Sequence, residues 1–426
     1  MRQKQALVVS IFAALIFIHP ASTQEARLFP ELVPLPIAVQ LSSLPDPLTI
    51  EQTVEAAIAF SGTSSAPAVS RERILAHLRK FQAESARISD QGKLAEGALE
   101  YLHRNILSRY SLLATSVDDA VRTGSYNCVS SAVLYAILAR SVGLSVYGVR
   151  TADHAFCSVT VDGAPIDVET TNVHGFDPGR KKEFTDSFGA VTGYTYVPPS
   201  NYRDRRRIPA RELLALILYN RTSEEGKAGR FRESVNPAVT AFAFVPTDEF
   251  RTAMDIALSN RATALAMRGD FSLATGFLDA AESSWGSLPS LSRLRYEVTH
   301  NWVIGLLEGG RLDDAAALLG DRARRAALGE QDWTDLSIFL VQARAEAAGR
   351  SGGFLDAAEI VAAGLLSLGS QPGLLQAYEA YVHNAFARLF NARRFDEAKE
   401  VLERGLSVHP ASPMLASDMA SLTVRR

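Results

Sequence analysis

Cys128 lies in Gly124-Ser-Tyr-Asn-Cys-Val-Ser-Ser-Ala-Val-Leu-Tyr135, where it opens an apolar, helix-spaced run. His154 begins Asp153-His-Ala-Phe156, and Asp167 and Glu169 fall within Ile166-Asp-Val-Glu-Thr-Thr171. A thiol, an imidazole and a carboxylate are the nucleophile, base and orienting acid of covalent acyl chemistry. A sulfur in the first turn of a helix meets unpaired backbone N–H groups and the positive end of the helix dipole, which favour a thiolate. The N–H groups at 127 and 128 can also hold an oxyanion, so Asn127 and Tyr126 are expected in oxyanion or positioning roles. Metal chemistry is a poorer fit. Cys128, His154 and Glu169 are 26 and 15 residues apart, which matches no zinc-ligand spacing, and nothing in the chain implies a cofactor.

The elements around these residues can be read locally. Asn127 or Ser125 can cap a helix running to about Ser141, with Val129, Val133, Ile137 and Leu138 at helical spacing and Gly143 closing it. Residues 145–150 read as a strand. Residues 154–161 and 164–171 read as a hairpin whose Asp162-Gly163 pair suits a type I′ turn. That turn sets His154 opposite Thr171, Phe156 opposite Glu169 and Ser158 opposite Asp167, all on one face. Glu169 is then the diagonal neighbour of His154 at about 7–8 Å, and Asp167 is roughly 13 Å along the strand. The register favours Glu169 as the acid and leaves Asp167 as the alternate. It also puts Cys157 on the other face, which argues against a Cys128–Cys157 disulfide and makes Cys157 an apolar filler.

The wider chain divides by composition. Residues 1–23 have the layout of a secretory signal: Arg2 and Lys4, an uncharged run from Ala6 to Ile18, then Pro20 and small residues. The run is short for a membrane span, so an exported protein, periplasmic or secreted, is expected, with no membrane span after cleavage. Pro30, Pro34, Pro36, Pro45 and Pro47 suggest an extended leader over 24–60. Residues 61–211 hold the chemistry-bearing stretch, preceded by amphipathic stripes such as Ile74, Leu75, Leu78 and Phe81. His174 reads as a surface loop residue and Arg203-Asp-Arg-Arg-Arg207 as a solvated linker. A net charge of -3 with no long basic tract gives no reason to expect nucleic acid, and 47% hydrophobic residues support packed cores.

Residues 212–426 repeat. Gly229-Arg-Phe-Arg-Glu-Ser234, Gly269-Asp-Phe-Ser-Leu-Ala274, Gly310-Arg-Leu-Asp-Asp-Ala315, Gly353-Phe-Leu-Asp-Ala357 and Arg394-Phe-Asp-Glu-Ala398 place a small residue every 40 to 42 positions. Asn220, Asn260, Asn301 and Asn384 recur ahead of four of these turns. Each unit reads as helix, tight turn, helix, and stacked pairs make an α-solenoid with a concave face suited to a protein or peptide partner.

This half resembles tetratricopeptide repeats, with a longer period. Residues from about 95 to 197 resemble the transglutaminase-like superfamily through Asn127-Cys128 opening a helix, Ala139 to Gly143-Leu144 closing it, and His154-Ala-Phe156. The family's His-Ala-Trp and Val-Asp-Pro-Thr fall on His154-Ala-Phe156 and Val168-Glu-Thr-Thr171, so the resemblance implies Cys128 as nucleophile, His154 as base and Glu169 as acid. The pairing with repeats is similar to SirB1-like proteins. The implied fold is α+β, a transglutaminase-like cysteine-hydrolase domain followed by an all-α tetratricopeptide-like solenoid. Two functions fit: an exported cysteine enzyme, peptidase, amidase or transglutaminase in type, whose repeats recruit a partner, or a lapsed catalytic fold acting as a protein-interaction scaffold.

Overall fold

The computed structural model describes residues 28–62, 66–193, 205–321, 325, 326, 328–350 and 352–424. The expected signal segment lies outside them. In chain order the helices are α1 (Pro36–Ser42), α2 (Ile50–Phe60), α3 (Pro67–Ser85) and α4 (Gln91–Asn105). Strand β1 (Arg109–Tyr110), helix α5 (Val117–Thr123), strand β2 (Ser125–Tyr126) and helix α6 (Cys128–Ser141) follow. Next come β3 (Ser145–Arg150), β4 (Ala155–Val161), β5 (Ala164–Val168), α7 (Lys182–Thr192) and β6 (Arg206–Ile208). The rest is helical: α8 (Ala210–Lys227), α9 (Phe231–Phe244), α10 (Asp248–Met267), α11 (Phe271–Trp285), α12 (Pro289–Glu308) and α13 (Leu312–Gly320). It ends with α14 (Glu330–Arg350), α15 (Phe354–Leu368), α16 (Pro372–Asn391), α17 (Phe395–Val408) and α18 (Pro413–Val424). The protein is thus mostly helical with a small sheet, α+β followed by a helical C-terminal region. No helix among the described residues is long and apolar enough to cross a membrane.

Among the described residues two compact units emerge, one running to Ala264 and including 279–286, the other holding 265–278 and the described residues from 287 onward. The first is built around α6. Every residue of α6 from Cys128 to Ala139 is buried, because the helix is apolar all round rather than on one stripe. It packs on β3 and β4 and is enclosed by α2, α4, α5 and α8. The sheet is antiparallel with order β5-β4-β3-β6. The pairing Cys157↔Val168 through Val161↔Ala164 is the register set by the Asp162-Gly163 turn. The ladder stops at Val168, short of the strand expected to reach Thr171, because Val168 bridges Phe176 and the Glu169 N–H bonds the Gly175 carbonyl at 2.8 Å.

Three expectations change here. The proline-rich stretch expected to be an extended leader instead forms a 3-10 turn at Pro30–Leu32 and helices α1 and α2. Pro30 and Pro36 sit at helix starts, where a missing N–H is harmless, and Arg211 donates to the carbonyls of Leu41 and Leu44, each at 2.7 Å. The division at 211/212 also moves. Helix α8, read as the first repeat helix, is buried from Arg211 to Leu218 against α6, α2 and β3, so the first unit extends to Ala264. The basic run is not a solvated linker over its described part: Arg206–Ile208 pairs with β3, and Arg205 binds Asp167.

The helix pairs from α8 onward carry the repeat. Gly229, Gly269, Gly310 and Gly352 hold positive φ in the turns, and Arg393 takes the same conformation at 59° in the fifth. Ser234, Ala274, Ala315, Ala357 and Ala398 are all buried. A small side chain there lets consecutive helices close together. In the second unit one buried cluster, including Val361, Leu374, Tyr378, Val382 and Leu402, runs across α15 to α18, and another, including Val303, Leu306 and Leu336, joins α12 to α14.

Candidate functional site

Cys128 is the first residue of α6, and Asn127 caps that helix. Asn127 Oδ1 accepts from the N–H groups of Val129 at 3.0 Å and Ser130 at 3.1 Å, while its own N–H donates to Ser130 Oγ at 2.9 Å. This reciprocal capping box satisfies the donors that a helix start leaves open. The cap is itself held. Asn127 Nδ2 donates to Leu112 O at 3.1 Å and to Thr115 Oγ1 at 2.8 Å, and Ser130 Oγ donates to Ala114 O at 2.8 Å. Asn127 therefore positions and does not supply an oxyanion donor, since its N–H is already used. Among the described residues the Cys128 N–H keeps no partner, so it is the first-turn donor left to face a substrate oxygen. Tyr126 is likewise a positioning residue. Its hydroxyl donates to Thr171 O at 3.0 Å, and burial, helped by the Glu169 charge, pushes its pKa up to about 12.

His154 lies just before β4, its carbonyl accepting from Thr151 N at 2.9 Å. Its Nε2 is 2.7 Å from Glu169 Oε2, and Cys128 is close enough to couple electrostatically to the ring. With Nε2 engaged by the carboxylate, Nδ1 is the nitrogen left for the sulfur. Burial is the largest influence on this ring and opposes its charge. Glu169 and Cys128 together outweigh burial and hold the imidazole well above its ordinary pKa. Phe156 stacks at 6.0 Å and Phe188 meets the ring edge-on at 6.5 Å, giving the imidazole apolar walls.

Glu169 is 4% exposed. Its second oxygen, Oε1, accepts from the Thr171 N–H at 3.2 Å and the Thr171 hydroxyl at 2.7 Å. A buried carboxylate is tolerable when several donors replace its water. The turn that makes this possible depends on Gly175: a Cβ there would lie 1.9 Å from the Glu169 carbonyl oxygen. Asp167, the alternate acid, is elsewhere. It still pairs across the ladder with Ser158, but its carboxylate is engaged by Arg205, with Nη1 donating to Oδ2 at 2.7 Å. His174 is an exposed loop residue, its N–H bound to Asn172 Oδ1 at 2.9 Å.

Both cysteines are free thiols. Cys157 was expected to point away from Cys128, yet its Sγ donates to Ala132 O at 3.3 Å on α6 itself. The strand alternation fails to carry over because His154 sits in the turn before the ladder. Burial, with a smaller push from Glu169, raises the Cys157 thiol far above its ordinary value, so it stays a neutral filler.

Five residues were not assigned to the site from sequence. Thr170 Oγ1 shares a hydrogen bond with Ser131 Oγ at 2.9 Å, tying the acid's loop to α6, and His103 Nε2 donates to Thr170 O at 3.1 Å. Burial, with a smaller contribution from His174, lowers the His103 pKa to about 4 against the hydrogen bond to Thr170. Asn220 reaches Thr115 Oγ1 at 2.8 Å. Of these contacts only the threonines beside Glu169 were signalled locally, since a carboxylate followed two residues later by a hydroxyl suits a short side-chain turn.

Among the described residues no three His, Cys, Asp or Glu side chains form a metal-holding group. The second unit has a cleft of about 500 Å³ between α15, α16 and α17, with Ala358, Ala362 and Val382 on its floor and Arg388, Arg404 and Glu359 at its rim. No protein-family model matches this chain, and no curated protein matches its sequence.

Proposed function

We propose that the chain is an exported cysteine enzyme of transglutaminase-like type that transfers or hydrolyses the acyl group of a peptide amide. The observation that carries this reading is one imidazole held at 2.7 Å by Glu169 and coupled electrostatically to Cys128 at the start of α6. Cys128 Sγ attacks the amide carbonyl as a thiolate, forming a C–S bond while the carbonyl electrons move to oxygen. The Cys128 N–H stabilises that oxyanion, helped by the positive end of α6. As the oxyanion collapses the C–N bond breaks, and His154 gives its proton to the departing amine. The thioester is then opened by water, giving the acid, or by a second amine, giving a new amide; His154 takes up the incoming proton in either case. Glu169 keeps the imidazole oriented and its charge compensated. The tetratricopeptide-like repeats present a protein or peptide partner to the chain.

A second reading, a scaffold whose chemistry has lapsed, draws on the exposure of Cys128, which is only 9%. Iodoacetamide separates the two. If the enzyme reading holds, Cys128 is alkylated at least about tenfold faster than Cys157 near neutral pH. Equal, slow alkylation of both supports the scaffold. Release of ammonia or amine from a peptide amide, with and without added amine, then distinguishes hydrolysis from transfer.

A further inference from the structure

Thr115 is 2% exposed and lies in the segment joining β1 to α5. Its hydroxyl oxygen accepts from Asn127 Nδ2 and from Asn220 Nδ2, each at 2.8 Å. A hydroxyl has two acceptor lone pairs, and both are engaged. On its other side Asn127 caps the turn that begins with Cys128. A continuous chain of bonds therefore runs from α8 through Thr115 and Asn127 to the helix start that carries the sulfur. Asn220 occupies the repeat position shared by Asn260, Asn301 and Asn384, but those three are exposed. Only the first copy of this asparagine is turned to a buried hydroxyl.

Resting on the cysteine-enzyme reading, we infer that Asn220 and Thr115 are positioning residues that fix the Asn127 cap and, through it, the reactivity of the Cys128 sulfur. The cap sets where the first turn starts and where its one open N–H points. An isopropyl group at 115 removes the acceptor of Asn220 Nδ2 and leaves Asn127 Nδ2 held by Leu112 O alone, so the cap loses the bond that ties it to α8 and is free to shift. A displacement of about 1 Å at a reacting atom is enough to slow chemistry substantially. The machinery thus includes α8, although its sequence belongs to the repeats.

The test uses the full chain, iodoacetamide and mass spectrometry, following alkylation at Cys128 and Cys157 across pH. Thr115→Val and Asn220→Leu are expected to slow Cys128 by roughly tenfold or more and to alter its pH profile, with Cys157 unchanged. Thr115→Ser, which keeps the hydroxyl, is expected to restore the wild-type rate and profile. Thr115→Val or Asn220→Leu alkylated at the wild-type rate, with only the melting temperature lowered, overturns the inference. So does a Thr115→Ser variant as slow as Thr115→Val. If Thr115→Val does not fold, Asn220→Leu against wild type decides. A wild-type Cys128 no faster than Cys157 overturns the enzyme reading itself, and that result is read before any variant is made.

Discussion

The two units bury different things. Around α6 the first unit buries Asn127, Thr115, Ser130, Ser131, Glu169, Thr170 and Thr171, joined by hydrogen bonds that converge on Cys128 and His154. The second unit buries mainly Ala, Leu and Val at its helix contacts, with a few polar groups such as Arg295 and Ser412, and many of its charges pair on the surface, as in Arg394 with Glu397 and Lys399 with Glu403. Apolar packing is the cheaper way to hold helices together, because a buried polar group costs free energy unless every bond is made. A region that buries so many polar groups is built to hold particular atoms in place. The helical unit is built to hold a shape.

The most damaging change on this view is His154→Ala, expected to slow alkylation of Cys128 by about a thousandfold near neutral pH. A variant still alkylated rapidly would separate the sulfur from the imidazole. Glu169→Gln keeps the shape and removes the charge, and a loss of about a hundredfold is expected. Asp167→Asn, whose carboxylate serves Arg205, should stay within about twofold, and equal losses would reopen the identity of the acid.

Stability against pH separates the two part-buried histidines, His103 and His154. His103 has a folded pKa of about 4, below its unfolded 6.5, so the folded state binds fewer protons and stability falls as pH drops through that window. The loss is about 3 kcal/mol, and His103→Gln should remove it from denaturant titrations. His154 has the opposite sign. Its raised folded pKa contributes stability fully below pH 6.5, and that contribution fades as pH climbs through the folded value.

Changes in the second unit are expected to be smaller and silent at the sulfur. Ala357→Leu overpacks a fully buried contact and should cost about 2 kcal/mol with Cys128 alkylation unchanged. Arg404→Ala removes exposed ion pairs with Glu359 and Glu400 and should move stability by less than about 0.5 kcal/mol. A large effect of either on Cys128 would break the contrast between the units.

Much of this was legible where local rules decide. The cap of α6, the Asp162-Gly163 turn with its register, and the buried small residue of each helix pair all follow from spacing. The acid was legible for a partly wrong reason. Glu169 was picked as a diagonal strand neighbour, yet it meets His154 because the ladder ends at Val168 and the backbone folds back at Gly175. Long-range contacts were hidden. Nothing near Asn220 or His103 in sequence marks them as partners of Thr115 and Thr170, and nothing near Arg211 shows that it would fold the proline-rich segment onto α8. Cys157 shows the limit of alternation, which holds within a ladder and fails one turn outside it.

The central claim is that one imidazole is held charged between a sulfur and a carboxylate. NMR titration of the His154 ring in wild type, Cys128→Ala and Glu169→Gln tests it directly. The ring is expected to remain protonated well above pH 6.5 in wild type, with its pKa falling in each variant as one support is removed. A His154 that loses its proton near 6.5 in wild type, or that titrates identically in all three proteins, contradicts the account.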